Sequence, residues 1–362
     1  MKDITSSSFF ETGADCCSTD GGTGISRQQG RHERVLVDAC GRRITDLRIS
    51  VTDRCNLRCT YCMPSERFCF VPHHRILSFE EITQAAKVAA SLGIHKLRLT
   101  GGEPLVRKNL PDLVAMLTAV DGIEDVPITT NGVMLAAQAE ALYAAGVKRI
   151  NVSLDSLQRA RFREIAQRDQ LERVLAGITA AQSVGFSSIK INMIPMRGIN
   201  DDEVTAMARW AVERGLNLRF IEYMPVGTNG WSWQRVVPAS ELHSRLAAEF
   251  PLGEPRRASP SAPAVDYPVQ GTQTCISIIP AVTEPFCGHC TRMRLTAEGC
   301  LRPCLHDEVE VDLARALRGG ASDAVMRGIF RQAAAAKPAG RGGFDPDYRP
   351  AQTARPMICI GG

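Results

Sequence analysis

Cys55, Cys59 and Cys62 lie in the stretch VTDRCNLRCTYCMP, spaced C-x3-C-x2-C. Three thiolates this close, interleaved with Arg54 and Arg58, can hold an iron–sulfur cluster. A four-iron cluster takes four ligands, so a cysteine triplet leaves one iron without a protein thiolate. An open metal position is where substrate chemistry happens, as at catalytic zinc. The competing chemistry is a zinc knuckle. Zinc favours four ligands, often two C-x2-C pairs, and the nearby candidates for a fourth are Cys69, His73 and His74.

A second cysteine set sits in FCGHCTRMRLTAEGCLRPCLH, residues 286–306. Cys287 and Cys290 form C-x2-C, followed by Cys300 and Cys304. Four ligands make a structural zinc ribbon; three make a second cluster with one open iron. Spacing alone leaves both readings open. A third motif, TGGEPLVR at 100–107, carries two adjacent glycines that let backbone approach a ligand closely. By itself it is equally a strand-to-helix turn.

These residues need a scaffold. Short apolar–polar alternations recur at 47–51, 96–100, 127–131, 149–155, 189–194 and 218–224. Helix-patterned segments lie between them at 79–93, 110–120, 134–146, 171–185 and 201–215, several ending on Gly as helix C-termini often do. Strand–helix alternation of this kind predicts parallel β/α architecture, a barrel or a doubly wound sheet. Residues two apart share a strand face. One face collects Leu47, Ile49, Val51, Leu97, Leu99, Ile189, Ile191, Leu218 and Phe220. The other collects Arg48, Ser50, Arg98, Thr100, Thr129, Asn131, Asn151, Ser153, Asp155, Lys190, Asn192 and Arg219. An ordinary barrel fills its interior with branched apolar side chains. A polar, cationic interior predicts a negatively charged ligand. The contrary reading pairs these cations with Asp155, Glu222 and other acids, or shifts the faces by one residue.

Composition narrows the class. The chain has 362 residues, 44% hydrophobic, with a net charge of +4 and 6% aromatic residues. That balance fits an anionic small molecule and does not demand a nucleic acid. The polar start lacks a signal-peptide pattern and no long apolar run is present, so a cytoplasmic protein without a membrane span is expected. Thirteen cysteines in such a compartment read as metal ligands more readily than as disulfides. Residues 1–33, rich in Ser, Gly, Thr and Gln, read as a disordered tail in which Cys16 and Cys17 are incidental. Residues 253–266 read as a linker or long loop, TQTCISIIP as part of a hairpin, and 311–320 and 321–336 as helical.

The triplet with Tyr61 before Cys62, followed by GGEP, resembles the signature of the radical S-adenosylmethionine (SAM) superfamily. From about residue 41 onward the chain resembles the GTP 3′,8-cyclase family, which opens molybdenum cofactor biosynthesis. The matching stretches are DLRISVTDRCNLRCTYCMP, LRLTGGEPL, ITTNG, RINVSLDSL, INDDE, LRFIEYMPVG, the C-x2-C-T-R-x-R-L block and the terminal IGG. The resemblance implies an α/β fold: an incomplete (β/α)6 TIM-type barrel over 34–252, closed by a C-terminal α+β region, 253–362, that carries a second cluster.

The resemblance also implies residue roles. Cys55, Cys59 and Cys62 hold the SAM-binding [4Fe-4S] cluster, and Tyr61, Gly102, Ser153 and Met224 contact SAM. Cys287, Cys290 and Cys304 hold a second [4Fe-4S] cluster whose open iron meets the guanine of GTP. Arg48, Arg98, Thr129, Lys190, Arg292 and Arg294 contact GTP. Arg292, Arg294, Gly361 and Gly362 are the implied catalytic set, the Gly-Gly tail entering a site too crowded for side chains. The bland reading of the tail is a frayed terminus. The polar strand face, reached independently, agrees at Arg48, Arg98, Thr129, Ser153 and Lys190 and adds Arg219. In the implied reaction, a SAM-derived radical takes hydrogen from C3′ of GTP, and the carbon radical adds to guanine C8. The implied partners are GTP, an electron donor such as flavodoxin or ferredoxin, and a downstream cyclic pyranopterin monophosphate synthase; a homodimer is allowed.

Cys300 and Cys359 depart from the family pattern: Cys300, which the pattern does not require, can compete with Cys304 in misassembled protein, and Cys359 is expected to have no cluster role. Two rivals stand beside this reading. One is a radical SAM enzyme acting on a peptide, against which Arg292, Arg294 and the Gly-Gly end speak. The other is a non-catalytic zinc protein, from which iron content separates it.

Overall fold

Alternating Leu and Ile positions drive the strands to bury one face, and the helices between them supply the cover. The computed structural model describes residues 35–63, 70–227, 229–348 and 355–361. The expected tail at 1–33, Cys69 and Gly362 lie outside these. Six parallel strands neighbour one another in chain order. They are β1 (Asp46–Ser50), β2 (Lys96–Thr100), β3 (Ile128–Thr130), β4 (Arg149–Ser153), β5 (Ser188–Met193) and β6 (Asn217–Ile221).

The intervening helices are α1 (Phe79–Ser91), α2 (Leu110–Thr118), α3 (Ala139–Ala144), α4 (Arg159–Ala166), α5 (Leu171–Val184) and α6 (Val204–Glu213). Helix α1 starts at a capping box: the Ser78 hydroxyl accepts from Glu81 N at 3.2 Å, and Ser78 N donates to the Glu81 carboxylate at 2.7 Å. Helix α5 stops at Gly185, whose φ of 88° is costly for other residues. Leu47, Ile49, Leu97, Leu99, Ile128, Ile150, Val152, Ile191, Leu218 and Phe220 are fully buried in one core with the helices. The apolar face is therefore the one the alternation predicts, and a one-residue slip is excluded.

The last third of the chain builds on both edges of this sheet. After α7 (Ala239–Ala247), β7 (Val265–Pro268) and β8 (Cys275–Ile279) form an antiparallel pair, and β8 runs parallel to β6. At the far edge β9 (Arg292–Leu295) runs parallel to β1, followed by antiparallel β10 (Cys300–Arg302) and β11 (Val311–Asp312). The result is one mixed eleven-stranded sheet, ordered β11-β10-β9-β1-β2-β3-β4-β5-β6-β8-β7. Helices α8 (Ala314–Arg318), α9 (Asp323–Ala335) and α10 (Met357–Ile360) complete it.

Three local expectations are corrected. The hairpin partner of β8 is β7, which begins inside the stretch read as a loop; Asp266 accepts from Ser277 Oγ at 2.6 Å across the pair. Val311–Asp312 extends the β9–β10 hairpin before any helix starts. Helix α4 was not expected, although Phe162, Ile165 and Ala166 give it a buried helical stripe. No helix among the described residues is long and apolar enough to cross a membrane.

Candidate active site

The first cysteine loop leaves the C-terminal end of β1 and is held from three sides. Gly102 N donates to Thr52 O and Glu103 N to Arg54 O, both at 2.8 Å, so the GGEP turn extends the β1–β2 pairing. A Cβ on Gly101 would lie 2.3 Å from Thr52 O, and one on Gly102 2.4 Å from Arg54 O. These glycines thus permit close packing on the cysteine loop itself. From the other side, the end of α4 presents unpaired carbonyls: Ile165 O accepts from Thr60 N and Ala166 O from Arg58 N, both at 3.0 Å. Asn131 Nδ2 reaches Cys55 Sγ at 3.7 Å and Asn56 Oδ1 at 2.7 Å. Tyr61 donates its hydroxyl to Asp155 at 2.7 Å, and Ile194 N donates to the other Asp155 oxygen at 2.9 Å. Glu103, buried, accepts from Leu105 N, Thr130 Oγ1 and Asn131 N, and burial raises its carboxyl to about 7.

Burial pushes the Cys55 thiol up to about 11 and raises Cys59 and Cys62 as well, with neighbouring thiols and Asp155 adding to the shift. A cationic centre overrides such shifts by binding thiolate directly. Three thiols on one loop offer three of the four ligands that a four-iron cluster takes.

The second cysteine loop is fastened by two cations that sequence reading did not identify. Buried Arg42 pairs with Asp38 at 2.6 Å and donates to Cys287 O at 2.7 Å, Ala339 O at 2.8 Å and Pro338 O at 2.5 Å. Buried Lys337 donates to Arg292 O at 2.8 Å and Pro303 O at 2.7 Å, tying β9 to the residue before Cys304. Burial raises the Cys290 thiol, but Arg292 and Lys337 outweigh it and bring it down to about 6. A thiolate there suits a metal ligand. The Cys300 thiol groups with the carboxylates of Glu298 and Glu310.

Between the two loops lies the polar face of the sheet. Arg294, Arg48 and Arg98 sit side by side across β9, β1 and β2; Asn192, Arg219 and Ser277 line up across β5, β6 and β8. Arg98 donates to Thr129 Oγ1 at 3.4 Å. Among the described residues, Arg48, Arg98, Lys190, Arg219, Arg292 and Arg294 form no ion pair with any acid. Asp46 acts on Arg48 and Arg98, and Asp266 on Lys190 and Arg219, without ion-pair contact; the two acids named against them are engaged elsewhere. Asp155 serves Tyr61, and Glu222 accepts from Ala239 N, Val282 N and Thr283. Burial, then the neighbouring arginines, lowers Arg98 and Arg294 to about 9. Burial and Arg219 lower Lys190 too. Ser50 Oγ, Asn192 Oδ1 and Arg219 Nε are buried without a partner.

The C-terminal tail meets this face. Helix α10 packs with Met63, Val226, Cys62, Met224 and Leu305. Arg294 Nη1 donates to Ile360 O at 3.1 Å and to Gly361 O. A Cβ on Gly361 would lie 2.4 Å from Thr100 Oγ1 and 2.5 Å from Ser50 Oγ. Gly361 is thus packed on the strand ends rather than frayed. Cys359 is buried beside this tail. Ser153 lies at the end of β4, half-buried.

Two family profiles match the chain. The Radical SAM superfamily covers residues 49–211 and Molybdenum Cofactor Synthesis C covers 216–342. The GTP 3′,8-cyclase of Moorella thermoacetica is 44% identical over 84% of this chain and 94% of its own length. That of Rhodopirellula baltica is 43% identical over 91% and 92%. Among solved structures, Streptococcus suis SuiB bound to S-adenosylmethionine superposes with a TM-score of 0.57 at 13% identity, covering 84% of this chain and 70% of that one. That likeness speaks for the fold alone. The two cysteine loops, the sheet that joins them and these relatives converge: the chain belongs to the GTP 3′,8-cyclase family of radical SAM enzymes.

Proposed function

We propose that GTP occupies the polar interior between the two cysteine loops, held by Arg48, Arg98, Thr129, Lys190, Arg292 and Arg294, with Arg219 on the same face. One observation carries this: six buried or half-buried cations share that face without an ion-pair contact, and only Asp46 and Asp266 act on them from a distance. Uncompensated buried cations are costly, and a triphosphate repays that cost. Arginine forks match phosphate oxygens in pairs, and Arg292 and Arg294 extend from the strand that follows Cys290.

The chain cyclises GTP to (8S)-3′,8-cyclo-7,8-dihydroguanosine 5′-triphosphate, the first step of molybdenum cofactor biosynthesis. Its cofactors are two [4Fe-4S] clusters and SAM, which supply the one-electron chemistry at the ribose. Cys55, Cys59 and Cys62 hold the first cluster, with SAM against Tyr61, Gly102, Ser153 and Met224. Cys287, Cys290 and Cys304 hold the second, which faces the guanine. The protein's own task is placement: arginines fix the triphosphate so that C3′ and C8 are held in reacting distance. Arg294 orients the tail, and Gly361 packs against the strand ends and excludes water there.

In this reading residues 34–252 are the SAM half and 253–362 the auxiliary half, whose strands β8 and β9 add to both edges and close the incomplete barrel. The protein works in the cytoplasm, takes electrons from a donor such as flavodoxin or ferredoxin, and passes product to cyclic pyranopterin monophosphate synthase; a homodimer is compatible with this. Anaerobic incubation of cluster-loaded protein with SAM, reductant and GTP tests the core of it. Both 5′-deoxyadenosine and cyclised nucleotide are expected; absence of both overturns the assignment.

A further inference from the structure

We propose that Arg355 is a positioning residue: a latch that fixes the C-terminal tail to the auxiliary hairpin and so sets where Gly361 lies in the active site. The guanidinium bridges two carboxylates, with Nη1 at 2.6 Å from Glu298 Oε1 and Nη2 at 2.9 Å from Glu310 Oε2. Glu298 lies in the turn between β9 and β10, and Glu310 directly precedes β11. The chain between them runs through β10 to Cys304. Arg302 also contacts Glu310, at 2.5 Å. The latch therefore joins the tail to the same hairpin that carries Arg292, Arg294 and the second cysteine loop.

The opposite side of this crossing is equally constrained. Gly227 has φ of 61°, and a Cβ there would lie 2.9 Å from Pro356 Cα and 3.0 Å from Arg355 O. Backbone meets backbone, so the Arg355–Pro356 peptide is seated in a saddle beside Val226. From that seat the chain makes one short helix, Met357–Ile360, before Gly361 reaches Ser50 and Thr100. So short a spacer carries any displacement of Arg355 to the glycine. Exposed ion pairs contribute little. Here the Glu298 and Glu310 side chains are 9% and 19% exposed and that of Arg355 34%, and removing the arginine leaves two carboxylates facing each other with Arg75 and Arg302 as their counter-charges among the described residues.

This inference rests on the proposed role of the tail, and its test separates the two. In cluster-loaded protein kept anaerobic, carboxypeptidase release of the terminal glycines is timed for wild type, Arg355→Gln, and the Glu298→Gln/Glu310→Gln pair, which removes the latch without adding repulsion. Release is expected to quicken on the order of tenfold in both variants. The kcat for cyclisation should fall similarly, with iron content, KM for SAM and GTP-independent SAM cleavage unchanged. Arg355→Lys should restore part of the loss, since one ammonium cannot span both carboxylates. Wild-type release rates in both variants would overturn the latch. Loss of iron in both would also overturn it, in favour of a scaffold role. The exopeptidase readout needs no substrate, so a wild-type protein that fails to cyclise GTP refutes the proposed function and leaves the latch measurable.

Discussion

Arg48 and Arg294 are register partners on the adjacent parallel strands β1 and β9, drawn together from opposite ends of the chain. Two like charges side by side in a sheet repel. Burial holds Arg48 well below the usual arginine range, Arg294, Arg292 and Arg98 lower it further, and Asp46 opposes them only in part. The fold keeps a repulsive arrangement that a negative ligand would relieve.

Arg294→Ala should therefore leave folding intact, or raise the melting temperature slightly, while cyclisation falls by about 100-fold or more. GTP alone should raise the melting temperature of the wild type and much less that of the variant, because a ligand stabilises only the state it binds. Thermal scans with and without GTP read both effects. An equal GTP shift in the two proteins would remove Arg294 from the substrate site.

Gly361→Ala places a methyl group against Ser50 and Thr100 at distances no side chain tolerates. The tail must shift, and a misplacement of about 1 Å near reacting atoms costs about 100-fold in rate. Iron content and melting temperature should match wild type. Single-turnover cyclisation kinetics check this; full activity would show that the tail merely covers the site.

Cys304→Ser should halve the iron, from about eight to about four atoms per chain, since each four-iron cluster depends on its triplet. Cys300→Ser should retain about eight, because that thiol groups with Glu298 and Glu310 instead. Iron and sulfide analysis of the reconstituted variants distinguishes the two cysteines. Iron loss from the Cys300 variant would restore the four-cysteine reading.

Glu222 has no solvent exposure and accepts from Ala239 N, Val282 N, Thr283 N and Thr283 Oγ1, all between 2.6 and 2.8 Å. It stitches the end of β6 to α7 and to the chain leaving β8. Glu222→Ala strands these donors without water and should cost about 3–5 kcal/mol. Denaturant titration at constant cluster loading measures it.

Much of the site was legible because it is local. Cysteine spacing, the GGEP turn and the alternation of Arg48, Arg98, Lys190 and Arg219 with buried Leu and Ile are all written within a few residues of one another. The same period-2 logic placed the helix-facing core correctly. Helix α4 was missed because its stripe is brief and lies between charges. Arg42, Lys337 and Arg355 were missed because their partners are backbone carbonyls or acids distant in sequence.

The sequence by itself determined the chemistry: two cysteine triplets, a parallel β/α scaffold and a cationic strand face. Tertiary structure decided what that face means. Strand pairing is non-local, so only the fold could set β9 beside β1 and β8 beside β6, bringing Arg294 to Arg48. Whether a buried cation is free depends on where every acid ends up, and local pattern carries no such information. The first triplet is readable alone; that it lies beside a cationic sheet face met by the tail follows from the packing of the whole sheet.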